Sequence, residues 1–249
     1  MSEAEYEQWR DENTWDPSRG TNLVIETDLA PAAWIEPLLL PGSFEVRMTT
    51  PQGFDAYARV FFPFVEWTRD ANGEPVEQHI RWKDMAQQNG WTAHALMEQE
   101  TVSRNPNGEV DSRSPRSNLS PQQVDALLPI LERHTSSTKG WFVFWDGFGD
   151  LNERAFNGSV PKLHHPMREY YLLSGPLGSY GEFPHGPNYW WPDDRAWCVS
   201  TDTDFAWSYV AGSASCIEEL VAVPVLDAIE TKPQNPAHSG MDVINNDPD

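Results

Sequence analysis

The sequence predicts an α+β fold, a mostly antiparallel sheet with helices packed on it. Three observations lead there. Ala196 to Thr201 and Phe205 to Ala211 alternate like two strands around an Asp202-Thr203-Asp204 turn, with Trp197, Val199, Phe205, Trp207 and Tyr209 as strand formers. Trp141 to Trp145, WFVFW, is apolar on both faces and bounded by Gly140 and Gly147, as expected of a central strand covered on both sides. Beyond residue 119 the elements run helix, strand, strand, hairpin, helix, an order without the regular strand and helix alternation of a parallel sheet.

Taken along the chain, residues 1–30 are acidic and polar with Tyr6, Trp9 and Trp15 interspersed, which predicts an arm that packs a few side chains onto the body. Phe44, Val46 and Met48 alternate before a Pro51-Gln52-Gly53 turn and the run Ala56 to Phe62, which predicts a β-hairpin. Trp82, Met85, Ala86 and Asn89 fall at i, i+3, i+4 and i+7, and Gly90 follows where a helix ends in the left-handed conformation. Residues 103–118 are rich in Ser, Asn, Pro and Arg without apolar periodicity, so a mobile loop or a seam between subdomains is expected there. Ser120 and Gln123 have the residue types of a capping box, Val124, Leu127, Leu128 and Leu131 form a buried stripe, and Pro129 is expected to kink or split that helix. Glu169 to Leu173 reads as a strand. Ser213 or Ser215 caps a helix through about Val221, which Pro224 stops. The expected organisation is an acidic arm over 1–30, one α+β domain over 31–232, and a flexible tail over 233–249, which lacks a core pattern.

Charge narrows the classes of partner. The 249 residues carry a formal charge of −21, a field that repels phosphate backbones and anionic lipid surfaces, so neither nucleic acid nor membrane is an expected partner. The first residues, MSEAEYEQWRDENTWDPSRG, have no basic start, apolar run or small-residue cleavage site, and a cytoplasmic protein is expected. Cys198 and Cys216 are the two cysteines, and both read as buried apolar residues.

Five segments, taken together, have a family resemblance. Asp55 to Val60, Ile80 to Trp82, Trp141 to Gly149, Arg168 to Tyr170, and the block WWPDDRAWCVSTDTDFAWSYVAGS from Trp190 to Ser213 occur in that order. The set resembles a family of uncharacterised, tryptophan-rich actinobacterial proteins of unknown function. The resemblance covers about residues 31–230 and departs from the family at Ala211, where glycine is expected. It implies one coherent folding unit and supplies no activity, cofactor or catalytic residue.

Gly186 to Ser213 holds four of the twelve tryptophans and four aspartates, so the candidate site residues gather around it. Charges inside strand-like apolar runs are costly to bury, and Arg59, Asp146, Arg168, Glu169, Asp193, Asp194, Arg195, Asp202 and Asp204 should be paired or line a wet cleft. Arg195 with Asp193 or Asp194 reads as a tie between loop and strand. The functional alternative is a cleft floor where Arg59, Arg168 or Arg195 meets an anionic ligand and Trp190 and Trp191 stack on it. Asp146, Asp202 and Asp204 have the chemistry of a cation site or an acid and base pair for hydrolysis, although aspartate is also favoured in a hairpin turn. His164 and His165 point to opposite sides of an extended segment, so one of them with His185 is a weak metal pair. No phosphate-binding glycine loop and no nucleophile elbow occurs, and no cofactor or metal is expected. The expectation is a ligand- or protein-binding module with a tryptophan-rich hairpin surface. The alternative is a hydrolase using Asp146, Asp202 and Asp204 with an arginine clamp.

Overall fold

A computed structural model describes residues 3–165 and 168–245. Its centre is the strand read from WFVFW, β5 (Lys139–Trp145), here numbered with the other strands in chain order. It pairs on one side with β7 (Arg168–Pro176) and on the other with β8 (Tyr189–Pro192). From β8 the sheet continues through β9 (Cys198–Thr201), β10 (Trp207–Gly212), β2 (Ala56–Phe61) and β11 (Ala228–Thr231). The short β1 (Val24–Ile25) and β6 (Leu163–His165) join β7, giving nine strands among the described residues, all paired antiparallel. This is the mostly antiparallel α+β sheet that the sequence predicts.

Period-two alternation sorts the apolar side chains between the two faces. Phe142, Phe144, Trp190, Trp197, Val199, Val210, Ala58 and Val60 face one core. Helices α4 (Pro121–Arg133) and α5 (Ala214–Val221) cover it with Leu127, Leu131, Ile217 and Leu220. Each helix starts as its sequence predicts. Ser120 and Gln123 close a capping box on α4, and the Ser213 hydroxyl accepts from the Cys216 amide on α5. Pro129 lies inside α4 without splitting it.

The opposite face carries two side-by-side cores. Under residues 29–39, which make 3-10 turns at Ala30–Ala32 and Glu36–Leu38, lie Trp141, Val143, Tyr170, Leu172, Tyr189, Trp191 and Cys198. The second core holds Phe61, Trp207 and Tyr209 beneath α2 (Trp82–Gln88), α3 (Gln99–Val102), the hairpin β3 (Phe64–Arg69) and β4 (Pro75–Ile80), and the C-terminal segment. One row of directly paired residues crosses both: Leu172, Val143, Tyr189, Ser200, Tyr209, Arg59 and Ile229.

The structure departs from the sequence reading at two places outside the site. Val46–Met48 is a 3-10 turn rather than a strand, and Phe44 is exposed with φ 55°. The amides of Val46 and Arg47 bond instead to the carbonyls of Asn235 and Pro233, so a later segment takes the place of the expected hairpin partner. That later segment was expected to be a flexible tail from residue 233. Ala237, Met241 and Asp242 are buried, and the amides of Gly240 and Asp242 donate to the two oxygens of Glu98 at 2.7 and 3.0 Å. The last four residues lie outside the described ones. Residues 103–118, expected as a loop or seam, bond to β3 and its approach through Ser114 O to the Val65 amide and the Arg116 amide to Pro63 O. At the other end, Glu3–Asn13 forms α1, and Trp15 packs against Phe144, Phe156 and Phe183.

Candidate functional site

The hairpin tryptophans are core rather than surface. Trp190 is wholly buried between Phe142, Tyr180 and Trp197, with ring centroids 6.2, 5.5 and 5.1 Å away. Trp191, one residue on, points to the opposite face and meets Trp34 edge-on at 5.9 Å. Strand alternation forces that split, so the two rings share no binding platform.

The candidate charges are likewise dispersed. Arg59 is 1% exposed, with its guanidinium 3.5 Å from the Trp207 ring centroid and 4.5 Å from that of Phe61. One nitrogen donates to Ala95 O at 2.6 Å, while Nε and Nη2 have no hydrogen-bond partner. Burial lowers its pKa to about 10, and Tyr209, Glu98 and Asp242 oppose that shift. Asp146 accepts from Lys162 Nζ at 2.7 Å, and Glu169 holds the same ammonium at 3.1 Å. These hydrogen bonds raise the Lys162 pKa. Arg195 is exposed, sits at φ 56° and lies 5.5 Å from the Trp34 ring centroid. Its expected tie to Asp193 or Asp194 does not form. Asp193 accepts from Trp141 Nε1 at 2.8 Å, and Asp194 holds Thr135, Ser136 and the Ala196 amide, so both aspartates serve the loop before β9 without the guanidinium.

Arg168, Asp202 and Asp204 do come together. Arg168 donates to Asp202 at 3.0 Å, to Asp204 at 2.6 Å and to the Thr203 hydroxyl, with Trp145 beneath the guanidinium at 5.1 Å. Asp202 also accepts the Asp204 amide at 2.9 Å, the turn-forming bond expected of aspartate there. Burial works against the charge of Arg168, but the two carboxylates hold its pKa above the ordinary value. The result ties the β9–β10 turn to the start of β7.

Beside this tie lies a pocket of about 90 Å³ that sequence reading did not single out. Antiparallel pairing of β6 with β7 sets Leu163 opposite Tyr170 and His165 opposite Arg168, which puts all four on the face under residues 29–39. Val143 and Tyr189 come from the neighbouring strands, and Ala32, Ile35 and Glu36 from the covering turns. The walls are mainly apolar; of the lining residues able to hydrogen-bond, His165, Tyr170, Tyr189 and Glu36 lie on this face, while the His164 ring turns outward to Glu169.

His165 is the unusual group. Among the described residues neither ring nitrogen has a hydrogen-bond partner, although both are shielded from solvent. Burial lowers its pKa, outweighing Asp202 and Glu36, which favour the protonated ring, while Arg168 adds to the lowering. The imidazole is therefore neutral near pH 7, with one donor and one acceptor to offer. Burial also pushes Tyr170 up to about 12 and Tyr189 well above the usual phenol range, so both hydroxyls keep their protons.

The neighbouring histidine is used differently. His164 is exposed on the other side of β6, 2.9 Å from Glu169, while His185 stacks on Phe148 and meets Asp150 at 3.0 Å. Among the described residues no group of three or more His, Cys, Asp and Glu side chains gathers as a metal would require, and no helix is long and apolar enough to cross a membrane.

One signal for the pocket was present in the sequence: opposite orientation of His164 and His165 in an extended segment. Pairing of that segment with Arg168 to Tyr170 was the missing link, because neither strand announces its partner. Compared with family models, curated proteins and solved structures, the chain matches none.

Proposed function

We propose that the protein is a small-molecule-binding protein whose ligand occupies the pocket between β6, β7, β8 and residues 29–39. The observation that carries this reading is His165, whose two shielded nitrogens lack partners at the wall of an apolar cavity. A buried polar atom without a partner is costly, about 1–3 kcal/mol, and a ligand that bonds to it recovers that loss. Two protonated tyrosines give the same ligand further points of orientation, matching the pattern of an apolar site with a few polar groups. Membership of the tryptophan-rich family and a cytoplasmic location are compatible parts of the same proposal.

Less supports the hydrolase alternative. Asp146 is held by Lys162, and Asp202 and Asp204 are held by Arg168, so each carboxylate already has a cationic partner. Nor does the Trp-rich hairpin offer a stacking surface, since Trp190 and Trp191 are buried on opposite faces.

The test is a screen of small polar and apolar fragments by thermal shift, repeated on His165→Phe, which keeps an aromatic ring and removes both nitrogens. A ligand of the folded state raises apparent stability. Fragments that shift the native protein and leave His165→Phe unmoved support the reading. Equal shifts in both proteins, or no shift with any fragment, contradict it.

A further inference from the structure

Three rings around the pocket stand nearly perpendicular in sequence. His165 meets Tyr170 at 82° with centroids 6.2 Å apart, and Tyr170 meets Tyr189 at 79° and 6.4 Å. All three residues line the pocket, so its wall is built of aromatic rings set at steep angles to one another, the residue types that attract a substituted ammonium group.

The charge around it has one sign. Glu36 lines the pocket at its exposed side, and its carboxylate has no ion pair among the described residues. Asp202 and Asp204 outnumber the one guanidinium they share. Glu36, Asp202, Asp204 and Arg168 together leave an excess of two negative charges near the cavity. Over the whole chain the excess is 21, a field that draws cations and repels anions.

Size adds a limit. At about 90 Å³ the cavity exceeds what one water needs, ~10–15 Å³ on this measure, and suits a compact head group rather than a large ring system. An anionic ligand, the class that the arginines suggest from sequence, does not fit the charge.

We propose that this pocket recognises a compact alkylated ammonium group, held between the faces of Tyr170, Tyr189 and His165 with Glu36 as its counter-charge. The proposal rests on the reading of the pocket as a ligand site and adds the chemical class of the ligand. His165 contributes an uncharged ring, and Tyr170 and Tyr189 two protonated phenols.

The experiment is titration calorimetry of the full chain with choline and with its neutral tert-butyl isostere, in which carbon replaces the nitrogen. Both probes have the same shape, so their difference reads charge. Choline is expected to bind at least about tenfold more tightly, within the range that a desolvated cation–π contact provides. Glu36→Gln, a change at an exposed side chain, is expected to shrink that preference roughly threefold while leaving the isostere unchanged. Equal or tighter binding of the isostere overturns the ammonium assignment and leaves the pocket as a site for neutral ligands. Failure of both probes overturns the ammonium assignment, and with a silent fragment screen it removes the pocket reading as well.

Discussion

Tyr189 and Arg59 lie in one cross-strand row of one sheet face, yet the two ends of that row have opposite fates. Over Tyr189 the cover is residues 29–39, two short 3-10 turns that meet the sheet through Ala32, Ile35 and Leu39. Small side chains and tight turns leave a gap there. Over Arg59 the cover is thick: α2 with Trp82 and Met85, then Met97 and Val102, then Ala237 and Met241 from the C-terminal segment. The guanidinium is sealed between rings, with Glu98 and Asp242 as its nearby acidic groups. Both regions contain nitrogens without partners, His165 in one and Arg59 in the other. Of the two, His165 lines the pocket described above, whereas Arg59 is packed between the rings of Trp207 and Phe61. An orphaned polar atom beside space suggests a ligand, whereas one inside a closed core is a tolerated cost of packing.

Substitutions should separate the two regions, beginning where the effect is largest. Arg59→Ala removes the ring contacts and empties a sealed part of the core, so a loss of about 3–5 kcal/mol in urea unfolding is expected. Trp190→Ala on the other face should cost a similar ~3–5 kcal/mol through the cavity it opens, and neither change should alter ligand selectivity in whatever protein remains folded. Next in size is Arg168→Gln, which frees the β9–β10 turn from β7 and is expected to cost about 1 kcal/mol, given that exposed Asp204 is one of its partners. Unlike the first two, it should disturb the pocket, visible as shifted resonances of His165 and Tyr170.

The smallest effect is one of pH. His165 has a folded-state pKa below its unfolded value of about 6.5, so the unfolded chain binds the proton first as acid is added. Its contribution to stability is complete above about pH 6.5 and is lost as pH falls from there toward the lowered pKa. Comparison of the native protein with His165→Phe between pH 7.5 and 5.5 should show a steeper loss for the native protein. Asp202, Glu36 and Arg168 face the same ring in both proteins, and their own titrations are shared by the comparison.

Much of this architecture is legible in the residues because it depends on local rules. The hairpin around Asp202-Thr203-Asp204, the central WFVFW strand, and the helices capped by Ser120 and Ser213 announce themselves through alternation, double-sided apolarity and capping chemistry. Gly147 follows the same logic, since a Cβ there would collide with the ring of Trp145. What does not show locally is long-range choice. Val46 bonds to Asn235 rather than to its own hairpin, and Leu163 to His165 pairs with β7 without an alternating apolar pattern to announce it.

The candidate residues are brought together only in part for a related reason. Tryptophan density marked Trp190 and Trp191, but density carries no information on which face is covered. Of the charges singled out, Arg168, Asp202 and Asp204 meet each other, whereas Arg59, Asp146 and Arg195 have separate surroundings. The pocket residues Tyr170, Tyr189 and Glu36 are ordinary in sequence and become distinctive through the strands and turns that bring them together.

The most direct test of the central claim is methyl and imidazole NMR of the full chain during titration with choline. Shifts confined to His165, Ala32, Ile35, Val143 and Leu163, with the hairpin at residues 202–207 unchanged beyond its tie to Arg168, are the predicted result. Shifts centred on that hairpin with the pocket silent, or no shifts at all, would contradict the account.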